Sequence, residues 1–139
     1  MCYNKNCKIE ITSIIGGEKS TITAEGKVIN TPSGYRFEYV LDGDDCLLSV
    51  TYNEVVQERS GEQNIKMTFR KGEQTQCFLS SGSFSGTFPI FTEYMEYAVG
   101  GSNSCSETVQ VFTLSISYIL GEQKTEINFS AQYTLEGKK

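Results

Sequence analysis

Histidine is absent from the chain, and no other absence excludes as much. Without imidazole there is no Ser-His-Asp or Cys-His arrangement, and the commonest transition-metal ligand is missing. An enzyme built on this sequence would work with carboxylates, Cys, Lys or Tyr alone. Clustered positive charge is also lacking. Lys and Arg number 12 against 17 Asp and Glu, the formal net charge is −5, and the densest basic spot is Arg70-Lys71. Nucleic acid and anionic membrane surfaces select for clustered cations, so neither is an expected partner. No run approaches the ~20 apolar residues that span a bilayer. The opening MCYNKNCKIEITSIIGGEKS holds no apolar core followed by a small-residue cleavage site, so a secretory signal is not expected. Beginning at Met1, the chain is expected to be complete and cytoplasmic.

Helical periodicity is missing too, since apolar spacing of i, i+3, i+4 is sustained nowhere over three turns. The five cysteines, Cys2, Cys7, Cys46, Cys77 and Cys105, are odd in number and irregular in spacing. They do not form a disulfide framework, and in a reducing compartment they are expected as free thiols. Cys2 and Cys7 lack the further ligands and close pairing that zinc requires, so no metal is expected. Asp42, Asp44 and Asp45 lack the rest of a calcium loop and read as a hairpin. Gly82 and Gly86 have neither the strand–loop–helix order nor the Gly-Lys-Ser/Thr of a phosphate loop, so they read as a bulge or bend. No cofactor is implied.

What the chain does have is alternation. Apolar residues make up only 38% of the 139, but eight Phe and eight Tyr supply large buriable areas. Cys7, Ile9 and Ile11 face one way and Lys8, Glu10 and Thr12 the other. The same period of two, the mark of half-buried strands, runs through Tyr35–Leu41, then Cys46, Leu48, Val50 and Tyr52 on one face. It continues through Ile65, Met67 and Phe69; Phe91, Glu93, Met95 and Tyr97; Phe112, Leu114, Ile116 and Tyr118; and Ile127, Phe129, Ala131, Tyr133 and Leu135. Turn signals separate these runs at Gly16-Gly17, Asp42-Gly43, Ser60-Gly61, Lys71-Gly72 and Gly121-Glu122, with a flexible loop expected over Gly100–Ser104. Gly-Glu-Gln recurs at 61, 72 and 121 with unaligned flanks, which is shared turn chemistry rather than a repeat.

Eight to ten strands at intervals of about ten to twelve residues predict one all-β domain over 1–139, an antiparallel meander. Closing so many strands into a β-barrel removes the exposed edges; a two-sheet sandwich is the rival. The predicted interior is Tyr35, Phe37, Tyr39, Leu48, Val50, Ile65, Met67, Phe69, Phe112, Leu114, Ile116, Phe129 and Tyr133. Glu93 falls on the apolar parity, where an acid would need a partner or a raised pKa, unless a bulge or strand end returns it to solvent. Arg59 shares parity with Val55 and Gln57, and would either face inward to a carboxylate or an anionic head or sit at a solvated strand end. Phe69–Tyr97 reads as a turn, a strand and a bent corner around Gly82–Pro89.

Several motifs bring a family to mind. Gly34-Tyr35-x-Phe37-x-Tyr39, Arg59-x-Gly61, Phe69-x-x-Gly72, Gly86-Thr87-Phe88 and Tyr118-x-Leu120-Gly121 together resemble the YwiB-like proteins over nearly the whole chain. The passage SSGSFSGTFPIF departs from that pattern. The resemblance implies a calycin-like (lipocalin-like) β-barrel, bacterial and of uncharacterised function, and it carries no catalytic residues.

The function expected first is non-catalytic binding of a small apolar or amphipathic molecule. Its candidate ligand-binding residues are Tyr35, Phe37, Tyr39, Arg59, Phe69 and Tyr133, with Phe84, Phe88 and Phe91 as a candidate rim. A structural or protein-interaction barrel with a packed interior is the alternative, and an enzyme ranks third.

Overall fold

The computed structural model describes residues 3–103 and 107–136. Alternation became strand throughout. In chain order the elements are β1 (Tyr3–Ile15), β2 (Glu18–Thr31), β3 (Gly34–Leu41), β4 (Asp44–Thr51) and β5 (Val55–Ser60), followed by β6 (Gln63–Phe69), β7 (Gln74–Ser81), β8 (Phe84–Asn103), β9 (Glu107–Leu120) and β10 (Gln123–Glu136). Each strand pairs antiparallel with its neighbours in sequence, and β1 pairs with β10, so the sheet closes into a barrel. The predicted meander and closure are both present, and the sandwich is excluded.

Consecutive hairpins place the turns alternately at the two ends. The near mouth carries the turns at 16–17, 42–43, 61–62, 82–83 and 121–122; the far mouth carries those at 32–33, 52–54 and 70–73. Asp42 and Gly43 have φ of 51° and 82°, the doubly left-handed geometry that makes Asp-Gly a tight hairpin. At the far mouth Arg70 Nε donates to Glu54 Oε2 at 2.8 Å, and Arg70 lies 3.7 Å from Glu73, strapping two turns together.

Directly opposed residues share a face, so the ladders define the interior. Every residue of the predicted interior lies on it. Phe37, Phe112, Phe129, Leu114, Val50 and Tyr133 are buried, while Tyr35, Ile65 and Met67 are partly buried against the core. Ring centroids of Phe37 and Phe112 stand 4.7 Å apart, those of Phe37 and Phe129 5.0 Å, and those of Tyr35 and Phe112 5.2 Å. A second contact joins Phe69 to Tyr118 at 5.0 Å. Tilted rings at these separations add to the area they bury.

Four expectations need correction. Phe69–Tyr97 contains no bent corner: Gly82, with φ 58°, turns a tight hairpin, and β8 then runs on regularly through Gly86, which pairs with Leu79. The irregularity lies further along, where a bulge between Thr92 and Tyr94 inserts Glu93 as an extra residue. That insertion reverses the parity. Ahead of it Phe88, Ile90 and Thr92 face inward; beyond it Met95, Tyr97 and Val99 do. Phe91 therefore points outward, and Glu93 points to solvent with its carboxylate 3.4 Å from Lys124 Nζ. Gly100–Asn103 are strand rather than loop, paired with Val111–Thr108; Ser104 lies outside the described residues. Tyr52 is 91% exposed, because β4 ends at Thr51 in a turn in which Thr51 N donates to Glu54 O. Leu135's side chain, like Cys2 and Cys105, falls outside what is described.

Several strands overhang their neighbours; β9, for one, meets β8 only over Ile90–Asn103 and leaves Phe84–Pro89 with β7 alone among the described residues. β3 meets β2 only over Gly26–Thr31, and β7 meets β8 only over Phe84–Phe91. Glu18–Glu25 and Tyr94–Asn103 therefore have a strand on one side alone among the described residues.

Thr92 is fully buried, and its hydroxyl has no hydrogen-bond partner among the described residues. Burying a hydroxyl unpaired costs about 1–3 kcal/mol. Thr92→Val keeps the shape and removes the hydroxyl, so it is expected to stabilise the barrel by about 1 kcal/mol in urea titration. A loss of stability would mean that the hydroxyl is satisfied.

Candidate functional site

At the near mouth the packing of the interior stops short of the rim. Inward residues on β6, β7, β8 and β9 surround an apolar cleft of about 460 Å³ lined by Ile65, Met67, Cys77, Leu79, Phe88, Tyr118 and Leu120, with Pro89 and Gly121 at its edge. β6 and β7 present the unringed Met67, Cys77 and Leu79 to this cleft, and Phe88 and Tyr118 face it from β8 and β9. Phe84 and Phe88 flank Gly86, and an added Cβ at Gly86 would lie 3.5 and 3.6 Å from their ring tips. A methyl group there would make ordinary contact with both rings.

Beside the cleft, and sharing Ile65 with it, is a polar space of about 530 Å³ bordered by Asp42, Asp44, Arg59, Glu62 and Gln63. Arg59 stands between Cys46 and Ile65 in the ladders, so it faces inward, as its parity allowed. It is held by a carboxylate: Arg59 Nε donates to Asp44 Oδ2 at 2.8 Å. The bond to Asp44 raises the guanidinium pKa further. Gly61 sits against Asp44, and a Cβ added at Gly61 would lie 1.9 Å from Asp44 Oδ1. Gly61→Ala is therefore expected to dislodge Asp44 from Arg59, and a crystal structure of that variant would show the 2.8 Å contact broken.

The remaining candidates fall elsewhere. Phe37 and Phe69 have no exposed surface and pack ring against ring; Tyr39 and Tyr133 are buried. Tyr35 is half-buried beside Phe112 at the far side. Phe37 and Phe69 fill the interior, while Tyr39 and Tyr133 also border spaces of about 540 and 450 Å³. Of the suggested rim, Phe88 lines the cleft, Phe84 stands on the same face nearer the turn, and Phe91 is on the outer face opposite Gln74. Sequence reasoning missed Cys77, Leu79 and Leu120, whose parity matched the core; only their height in the barrel separates lining from filling.

Burial also marks the titrating groups. It pushes Cys7 up to about 11 and Tyr39 up to about 12, the latter opposed by a hydrogen bond from Gln57. Cys46, Cys77 and Tyr118 are raised for the same reason. Each is held neutral by the fold, so its contribution is complete below its unfolded pKa and is lost as pH rises through the folded one. Stability is expected to fall from about pH 9 to about pH 12. Urea midpoints at pH 7, 9 and 10.5 check this; a midpoint unchanged at 10.5 would contradict the burial.

Cys7, Cys46 and Cys77 are free thiols. Among the described residues no cluster of His, Cys, Asp or Glu could hold a metal ion.

The chain thus has the architecture of a closed ten-stranded antiparallel β-barrel. A solved structure of the same shape is the ywiB protein from Bacillus subtilis, which matches with a TM-score of 0.69 over 98% of this chain and 94% of that one at 14% identity. The fold is YwiB-like; at that identity the likeness concerns the fold alone. No protein-family model matches the sequence, and no curated protein matches it.

Proposed function

We propose that this barrel is a non-catalytic binding protein that takes a small apolar or amphipathic molecule into its near mouth. The observation that carries the reading is the 460 Å³ cleft lined by Ile65, Met67, Cys77, Leu79, Phe88, Tyr118 and Leu120. Its size lies within the roughly 300–1,000 Å³ of ligand pockets, and its walls are the apolar kind that such pockets use. The fold-level analogy that goes with this reading is a calycin-like barrel, a class whose members often hold small apolar ligands. The binding site it assigns differs from the aromatic residues expected from sequence.

Native mass spectrometry of the protein after incubation with lipid and metabolite extracts tests it. A bound species in the wild type, lost in Leu79→Trp, is the expected result. An unliganded spectrum under every extract would overturn the proposal.

One observation favours the alternative, a protein-interaction barrel. The outer edge of β8 beyond the bulge has no strand neighbour among the described residues and carries exposed Tyr94, Tyr97 and Val99. Such an edge can accept an added strand. Tyr94→Lys would charge that edge from the outer face, away from the aromatic core, and loss of a partner captured by the wild type would support this reading.

A further inference from the structure

The polar space at the near mouth bears on what kind of molecule the cleft admits. We infer that the occupant is a single-chain amphiphile with a cationic head, an alkyl amine or quaternary ammonium, whose tail enters the cleft while its head rests among Asp42, Asp44 and Glu62; this rests on the binding function proposed above.

The argument is one of charge complementarity across two adjoining spaces. The apolar cleft and the polar space both border Ile65, so a tail in the first puts its head group beside the second. The polar space holds three carboxylates, from Asp42, Asp44 and Glu62, against one guanidinium, that of Arg59. The guanidinium is already engaged in part, since its Nε donates to Asp44 at 2.8 Å. An anionic head drawn to Arg59 would face Asp42, Asp44 and Glu62 at like charge. A cationic head meets Asp42 and Glu62, which make no ion pair among the described residues.

The neighbouring turns act in the same direction. Glu122 stands in the turn between β9 and β10 at the same mouth, and Lys124, the cation next to it, is paired with Glu93, whereas Glu18 at the start of β2 is offset by Lys19. A rim of net negative charge raises the local concentration of cations. The carboxylates do not form a metal cluster, because no group of that kind occurs among the described residues. Their field therefore suits a bulky organic cation better than a dehydrated metal ion. An apolar wall beneath and carboxylates above is the arrangement that an amphiphile satisfies at both ends at once.

The test uses displacement of the neutral apolar dye N-phenyl-1-naphthylamine from the full chain at pH 7.5 and low ionic strength. Decylamine, decanol and decanoate serve as competitors below their micelle concentrations. Decylamine is expected to displace the dye at roughly one-tenth the concentration of decanoate, with decanol between, the scale set by two or three exposed charge contacts. In Asp42→Asn/Glu62→Gln the amine-to-acid ratio is expected to fall towards one while dye affinity stays unchanged. Asp44 is left in place because it holds Arg59.

Salt at 0.5 M should compress the wild-type ratio in the same way. Decanoate binding as well as decylamine, or a ratio indifferent to the double variant, would overturn the cationic preference and leave the binding function standing. Failure of the dye and of all three competitors to bind would overturn both.

Discussion

Replacing Phe112 with Ala is expected to lower the unfolding free energy by about 3–5 kcal/mol, the range for truncating a buried Phe. Phe112 has no exposed surface, and its ring meets Tyr35, Phe37, Tyr97 and Phe129 at centroid separations of 5.2, 4.7, 5.7 and 6.2 Å. Those four rings come from β3, β8 and β10, while Phe112 itself belongs to β9. A cavity at this point is bordered by rigid strands on every side, so it collapses poorly. A domain of this size has a total stability of about 5–15 kcal/mol, so the variant would sit near the limit of folding. Urea titration followed by circular dichroism reads the loss. Val40→Ala, on the outer face and 55% exposed, is the control and should change stability by less than about 0.5 kcal/mol. Equal effects at the two positions would mean that Phe112 is not the keystone of the aromatic core.

The second large effect is expected from Gly34→Ala. A Cβ at Gly34 would lie 1.9 Å from the carbonyl oxygen of Val50 and 3.1 Å from Thr51 Cα, both backbone atoms of β4. Gly34 also has φ of 156°, and its N–H donates to Thr31 Oγ1 at 3.2 Å. The methyl group can be admitted only by separating β3 from β4 at the far mouth. Overpacking costs about 1–3 kcal/mol, and the backbone strain adds about 1–3 more, for an expected loss of about 2–6 kcal/mol. Gly82→Ala is the informative comparison. Gly82 also has positive φ, 58°, but nothing lies within 4 Å of its missing Cβ. Only the left-handed conformation is penalised there, by about 1–2 kcal/mol. A difference between the two variants in melting temperature isolates the steric part.

The strands were legible in the sequence because one barrel face is dry and the other wet, so parity is written into residue choice. Phe37, Leu48, Phe112, Leu114 and Phe129 could all be assigned inward before any ladder was seen. Parity fails where the backbone adds or drops a residue. An acid at Glu93 on the apolar parity already pointed to a bulge or a strand end, and the bulge between Thr92 and Tyr94 is what returns it to solvent. Tyr52 was misplaced because alternation was carried one step past the end of β4. Gly100 and Gly101 were taken for loop residues, but at Gly101 an added Cβ would meet Val109 O at 2.7 Å, so glycine there permits close approach within a ladder. The candidate site was the least legible part. Cys77, Leu79 and Leu120 repeat the pattern of core residues, and the cleft exists because of which of them lie near the rim. Arg59 was the exception, since a guanidinium on inward parity already required a carboxylate, and Asp44 supplies it.

The ladder between β1 and β10 joins the two ends of the chain, whereas every other ladder joins strands consecutive in sequence. During folding each hairpin closes a short loop, but this last seam must bring together residues such as Ile11 and Phe129. The entropy of closing a loop grows only as the logarithm of its length, so the seam is affordable once the other strands have already curled the sheet. The seam is therefore expected to form late, as the step that converts a curled ribbon into a cylinder. Mutations along it, such as Ile11→Val, should slow folding little and speed unfolding instead. Chevron plots would show the effect on the unfolding limb, and a slowed folding limb would place the seam in the nucleus.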